Sequence, residues 1–422
     1  MPSSKKPFSS VRRFWRALGP GIVTGAADDD PSGIATYSIA GAQYGTSLLW
    51  TALITWPLMA AVQAMCARIG MVTGRGLMGA LHMRFPRPLL VTTAALLLVA
   101  NTINVGADLA GMGDAAALLT TIDARVWVIA FGVAIASATF RLRYRVIADA
   151  LKWLALVLFV YVMAAFKVRP SWSSVVHDTF FVSLPHQRGE WATLVAILGT
   201  TISPYLFFWQ ASEEVEEEKA EGRRSIAARR GASRDELARR RLDVGIGTLF
   251  SNVAMYFIIL TTALTLHQHG LTAPQSSRDV AKALEPLAGR FAATLYTLGI
   301  VGTGILAIPT LGGSAAYAFA DIFGWPQGID RQYRTARAFY AVIALAIAAG
   351  VAMNFAGINP ITALYWTAVI NGVLAPPLLL GILLAASDAK LMQSQPSPRV
   401  TRIAVAAATM LMLVAAVAMF VV

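Results

Sequence analysis

Residues 19–45 read GPGIVTGAADDDPSGIATYSIAGAQYG, an apolar stretch long enough to cross a bilayer, with Asp28, Asp29, Asp30 and Pro31 near its centre. About 20 residues at 1.5 Å each span the hydrocarbon core. An ionisable group inside that core costs a few kcal/mol or more, so these acids must face the interior of a bundle rather than lipid. Successive helical positions lie ~100° apart, so no single helix face pairs all three. Pro31 removes a backbone donor and pushes Asp30 out of the α region, while Ser32 and Gly33 make unwinding cheap. The stretch predicts a helix broken at membrane depth, with carboxylates and freed carbonyls exposed there. Membrane proteins build ion sites at such breaks, where half-helix ends and unwound carbonyls can coordinate a cation.

The rest of the chain fits this reading. Of 422 residues 56% are hydrophobic and only 14% charged, against roughly 25% charged in soluble domains, so the chain reads as a polytopic membrane protein. Eleven apolar runs are predicted to span, at about 19–45, 47–70, 88–112, 124–140, 147–167, 191–213, 242–266, 287–320, 337–353, 360–386 and 401–422. Pro309 and its neighbouring glycines predict a kink in the eighth. With the N-terminus cytoplasmic, 28 of the 35 Lys and Arg residues fall in inside segments, as the positive-inside rule requires. The net charge of +12 therefore reports insertion and not a nucleic-acid partner. Cys66 is the single cysteine, which excludes an internal disulfide or a cysteine cluster. The basic segment 1–18 leads into an acid-bearing run with no small-residue cleavage site, so it reads as a cytoplasmic tail and not as a signal peptide.

A second break is predicted in the sixth span, at Thr200, Thr201, Ile202, Ser203, Pro204 and Tyr205. Interrupted spans at positions one and six are equivalent if spans one to five and six to ten form two inverted repeats, and they would then meet at the midplane. The expected organisation is a first repeat over 19–167, an external loop over 168–190 and a second repeat over 191–386. That second repeat contains a charged cytoplasmic loop, 214–241, read as solvated; a linker and the eleventh span fill 387–422. In the third span Asn104 and Asp108 are four apart on one helix face; with Asp28 they form either a proton or cation relay or a structural hydrogen-bonding set. His177 and His186, in the external loop, are read as solvated in preference to metal-capturing.

Several of these motifs resemble a known family. GPGI at 19–22, DPSG at 30–33 and AGAQYG at 40–45 are similar to the first span of the Nramp family of divalent-metal transporters, whose signature there is Asp-Pro-Gly-Asn followed by an Ala-Gly-Ala-Gln-Phe/Tyr-Gly-type segment. TISPY at 201–205 resembles that family's sixth-span break, usually Met-Pro-His. The resemblance implies a LeuT-type fold of 5+5 inverted repeats, with no cofactor and with a divalent cation as substrate, in a multi-pass protein of a bacterial inner membrane. It implies Asp30 as the metal ligand, while the family's Asn falls on Gly33, its Met on Ser203 and its His on Tyr205. A thioether favours transition metals, whereas carboxylate and hydroxyl oxygens suit Mg²⁺ and Mn²⁺, so the lost Met, Asn and His point to a harder, partly hydrated ion. Nramp-related magnesium transporters also lack the thioether. The expected shell is Asp30 as primary ligand, with Asp29, Ser203, the carbonyls of Ala27 and Thr200, and at most the carbonyl of Gly33; Tyr205 is a gating or supporting residue.

Two other classes fit parts of the sequence. A cation-coupled transporter of a small organic substrate would use the same broken helices, although three acids would repel a substrate carboxylate. An intramembrane aspartyl hydrolase would use Asp114 of the Gly111-Met112-Gly113-Asp114 run with a first-span acid. No phosphate-binding Gly-Lys-Ser/Thr loop is present, which speaks against an ATP-driven pump.

Overall fold

The computed structural model describes residues 25, 28–142, 156–329 and 331–422. The principal helices are α1 (Pro31–Tyr44), α2 (Trp50–Thr73), α3 (Arg87–Ala117), α4 (Ala124–Arg141), α5 (Phe159–Val168), α6 (Arg188–Thr201), α7 (Pro204–Ala220), α8 (Arg234–Thr265), α9 (Ala292–Phe323), α10 (Arg337–Met353), α11 (Pro360–Ser387) and α12 (Arg399–Val421). Among the described residues nine segments are long and apolar enough to cross a membrane. They coincide with the second to fourth and the sixth to eleventh predicted spans, with α6 and α7 together forming the sixth. Helices α1 and α5 are the described ends of the first and fifth. The basic tail 1–18 and Arg143, Arg145 and Lys152, which entered the orientation reading, lie outside the described residues.

Among the described residues the fold is all-α, and its packing pairs off. Helix α1, from the first span, packs on α8, and α7, from the sixth, packs on α2; α3 packs on α4 as α9 packs on α10. Helices α2 and α8, and α3 and α9, meet across the middle. Exchanging spans one to five for six to ten maps each contact onto another, and an odd number of spans per half makes the halves enter from opposite sides. Helix α12 stands outside the repeat, against α11, α6 and α2. Pro309 is accommodated within the continuous helix α9.

Because lipid is as apolar as the side chains, membrane helices associate through close packing of small residues. A Cβ on Gly199 of α6 would lie 2.1 Å from Ala368 O of α11, and one on Gly41 of α1 would lie 2.2 Å from Ile259 O of α8. These contacts draw both broken spans tight against the bundle.

The segment 214–241 differs from the solvated loop read from its charge. Helix α7 continues to Ala220 and α8 begins at Arg234 behind a capping box of Ser233 and Glu236. Glu214 is buried; it accepts from Gln210 Nε2 at 2.7 Å and from Arg240 Nε at 2.7 Å. Arg240 also pairs with Glu217 and, at 2.8 Å, with Asp243. Arg229 is buried too and donates to the Gly74 carbonyl at the end of α2 at 3.2 Å. A helix rich in both signs reads as solvated, but here the charges satisfy one another between α7 and α8.

Gly199→Val should lower the thermal unfolding midpoint of the detergent-solubilised protein, with a cost of about 1–3 kcal/mol or more from overpacking. Gly381→Ala is the control, since a Cβ there meets no atom within 4 Å. Equal melting of Gly199→Val and wild type would refute the close seating of α6 on α11.

Candidate functional site

The first break lies where proline places it. Asp28 closes the preceding helical segment, Asp29 is a bend, and Asp30 is extended at φ −68° and ψ 169° before α1 starts at Pro31. Asp30 is the N-cap of α1: its Oδ1 accepts from Gly33 N at 2.7 Å and from Ser32 Oγ at 2.6 Å. A carboxylate is well placed there, beside the unpaired N–H groups and the positive end of the helix dipole. In the sixth span Ile202 and Ser203 leave the α region and α7 starts at Pro204. Ser203 Oγ donates back to the carbonyls of Gly199 (2.7 Å) and Thr200 (2.8 Å), closing the end of α6.

The three acids part company. Asp28 and Asp29 turn to α8, where Ser251 Oγ lies 2.5 Å from Asp28 Oδ2 and 3.0 Å from Asp29 Oδ1. Asp30 turns to α3: Asn104 Nδ2 donates to its Oδ2 at 3.0 Å and to Asp108 Oδ2 at 3.2 Å. Asn371 of α11 approaches Asn104 Oδ1 from behind at 3.5 Å. All four carboxylates are buried, and none of these hydrogen bonds comes from a basic side chain. Among the described residues, Asp28 Oδ1 and Asp29 Oδ2 are buried without a hydrogen-bond partner. Such groups are costly in a low-dielectric interior unless something positive or donating meets them.

Gly33 joins the two breaks. A Cβ on it would lie 3.1 Å from Thr200 Oγ1 and 3.6 Å from Asp30 Oδ1, so the acid of the first span and the hydroxyl of the sixth face the same space. Gly33 sits in the first turn of α1, where its carbonyl is directed along the helix toward residue 37. Ser203 is turned onto α6 as a cap. Thr200 offers its side-chain oxygen, while its carbonyl already accepts from Ser203. Ala27 lies outside the described residues. Tyr205 is buried in the first turn of α7, and Asp28 is fully buried.

Among the described residues no group of three or more His, Cys, Asp or Glu side chains converges on one point. Any shell here must mix one or two carboxylates with hydroxyl, amide, carbonyl or water oxygens. Ser251, Asn371 and Tyr37 escaped the sequence reading. Ser251 and Asn371 are polar residues in apolar spans, the signal that singled out Asn104 and Asp108. Outside the site, His177 pairs with Asp178 at 3.1 Å and lines a cavity of about 530 Å³ with His267, not with His186. Asp114 accepts from Ser277 N at 2.9 Å, ten residues and about 15 Å along α3 from Asn104, so it does not pair with the acids of the break.

The profile of the Nramp family, natural resistance-associated macrophage protein-like, matches residues 21–422. A relative from Caldanaerobacter subterraneus subsp. tengcongensis, named divalent metal cation transporter MntH, is 24% identical over 413 residues, covering 95% of this chain and 92% of its own length. A relative of the same name from Mycobacterium tuberculosis is 28% identical over 322 residues, covering 74% and 71%. Among solved structures, the Eremococcus coleocola manganese transporter, in complex with an aromatic bis-isothiourea substituted compound, matches with a TM-score of 0.73. It is 17% identical and the match covers 99% of this chain and 89% of that one. Mhp1, a nucleobase-cation-symport-1 family transporter in a closed conformation, matches with a TM-score of 0.55 at 12% identity, covering 96% and 92%. These two structural likenesses carry the fold alone.

Ser251→Ala removes the hydroxyl that Asp28 and Asp29 share. It should destabilise the protein by about 1–3 kcal/mol, the cost of leaving a buried acceptor without its donor, whereas Ser251→Thr should retain most of the stability. Thermal unfolding in a fixed detergent separates the two, and identical midpoints for Ser251→Ala and wild type would contradict the placement.

Proposed function

The chain belongs to the natural resistance-associated macrophage protein-like (Nramp) family, and from that premise we propose that it is a secondary transporter of divalent metal cations, with Mg²⁺ or Mn²⁺ as cargo, working by alternating access. The observation that carries this reading is the meeting of two broken spans at one point. Asp30 and Thr200 flank the side-chain-free position Gly33, with Asn104 and Asp108 behind.

Charge and ligand softness favour a hard ion. Asp30 is the primary ligand, held in place by Gly33 N, Ser32 and Asn104; Thr200 Oγ1 and Asp29 supply further oxygens, and Ala27 a carbonyl. With Ser203 and Tyr205 where family members carry Met and His, no thioether or imidazole enters the shell. Mg²⁺ keeps several of its waters and is held through one or two carboxylates, which suits a site of few carboxylates. Asn104 positions Asp30 and Asp108 together, and Asp108 and Asp28 serve as relay or counter-charge. The acids of the break disfavour an anionic organic substrate. The two halves, 19–167 and 191–386, move against each other about the breaks, with the N-terminus cytoplasmic and the protein in a bacterial inner membrane.

Uptake of Mg²⁺ and Mn²⁺ into proteoliposomes should be lost in Asp30→Ala, and undiminished uptake would remove Asp30 from the site. Ser203→Met reinstates the family's thioether beside the sixth-span break. It should raise uptake of a soft ion such as Cd²⁺ relative to Mg²⁺, and an unchanged Cd²⁺ to Mg²⁺ ratio would show that residue 203 does not face the ion.

A further inference from the structure

A groove of about 380 Å³ runs between α3 and α11 on the outside of the bundle. Leu89 and Leu96 of α3 and Leu380 of α11 line it and are exposed. Pro204, the first residue of α7 and the point where the sixth span breaks, also lines it. The sequence leaves this slot open: Gly381 has no side chain, and a Cβ there would meet no atom within 4 Å. Pro376 and Pro377 also interrupt the hydrogen-bond ladder of α11 beside it. From Leu89 to Ala100 the groove follows α3 for about 16 Å, close to the ~15 Å depth of one leaflet.

Beside one end of the groove stand Arg84, Arg87 and the carboxylate of Asp388. Arg84 Nη1 donates to the Leu384 carbonyl at 3.2 Å and to Asp388 Oδ2 at 3.0 Å, and Leu384 lines the groove. Asp388 is itself held below the usual carboxylate range by the backbone N–H groups of Leu391 and Lys390, so it stays ionised and fixes Arg84 at that end. Both contacts use one nitrogen of a guanidinium that carries five N–H donors. The Arg87 guanidinium lies 5.3 Å from the ring centre of Phe323. Both arginines are exposed, and both fall on the side that the loop charges mark as cytoplasmic.

We propose that an anionic phospholipid of that leaflet docks here, its phosphate on Arg84 and Arg87 and one acyl chain in the groove against Pro204. Length, apolar lining and charge all select this occupant. The groove is as deep as a leaflet, it presents carbon to carbon, and two arginines against the one carboxylate of Asp388 leave a net positive charge where a headgroup would lie, as basic residues beside membrane spans do for anionic lipids. The chain would buttress the sixth-span break from the lipid side. The inference does not depend on which ion is carried.

The test uses full-length protein, delipidated in detergent and titrated with phosphatidylglycerol or phosphatidylcholine, with bound lipid counted by native mass spectrometry. Wild type should bind phosphatidylglycerol about tenfold more tightly, as expected for a few basic residues near an anionic headgroup. The double variant Arg84→Gln, Arg87→Gln should lose that preference. Gly381→Trp, which fills the groove, should lose the bound lipid although both arginines remain. Leu96→Trp fills it from the α3 wall should Gly381→Trp fail to fold, and a melting curve reports which variant is folded. Equal affinity of wild type for the two lipids overturns the proposal. So does lipid binding that survives groove filling in a folded variant, whatever the arginine variant does, since that outcome means surface attachment of headgroups alone.

Discussion

A carboxylate taken out of water loses several kcal/mol of solvation, and the bilayer interior offers no solvent to return it. Asp28, Asp29 and Asp30 concentrate that demand at one level of one helix, and much of the architecture answers it. Pro31 stops the helix so that Asp30 becomes a cap instead of a lipid-facing side chain. Asn104 reaches Asp30 from α3, and Ser251 reaches the other two from α8. Those donors arrive only because the helices pack closely enough, through glycines such as Gly41 and Gly199, to bring backbone against backbone.

Two buried acidic clusters among the described residues are balanced differently. Between α7 and α8, Glu214, Glu217 and Asp243 surround Arg240, so a fixed positive charge sits among the acids and the cluster clamps the sixth span to the seventh. At the midplane the acids receive only neutral donors among the described residues, and one oxygen each of Asp28 and Asp29 has no partner there. Acids grouped around an arginine are held by it, whereas buried acids with neutral donors and unmet oxygens favour the approach of a positive charge.

Residue properties that act locally were legible in the sequence. Hydrophobic runs gave the spans, Pro31 and Pro204 gave both breaks, and the family motifs assigned the fold class, because each depends on neighbours within a few residues. Side-chain direction was not legible. Ser203 is next to a break, and only the structure shows that its hydroxyl bonds back to α6 and that the Thr200 hydroxyl lies beside Gly33. The charged segment after the sixth span misled for a related reason: alternating signs look solvated until partners 20 or more residues apart, such as Glu214 and Arg240, are brought side by side.

By itself the sequence determined that this chain lives in a membrane, that its first and sixth spans break, and that acids sit at the first break. Hydropathy and proline stereochemistry suffice for that, since both act along the chain. Only the tertiary structure decided that the three acids divide between α3 and α8, that Asp30 and Thr200 share the space left by the missing side chain of Gly33, and that Ser251 and Asn371 belong with them. Those relations join residues up to 267 positions apart, and no local property of either partner encodes the distance between them.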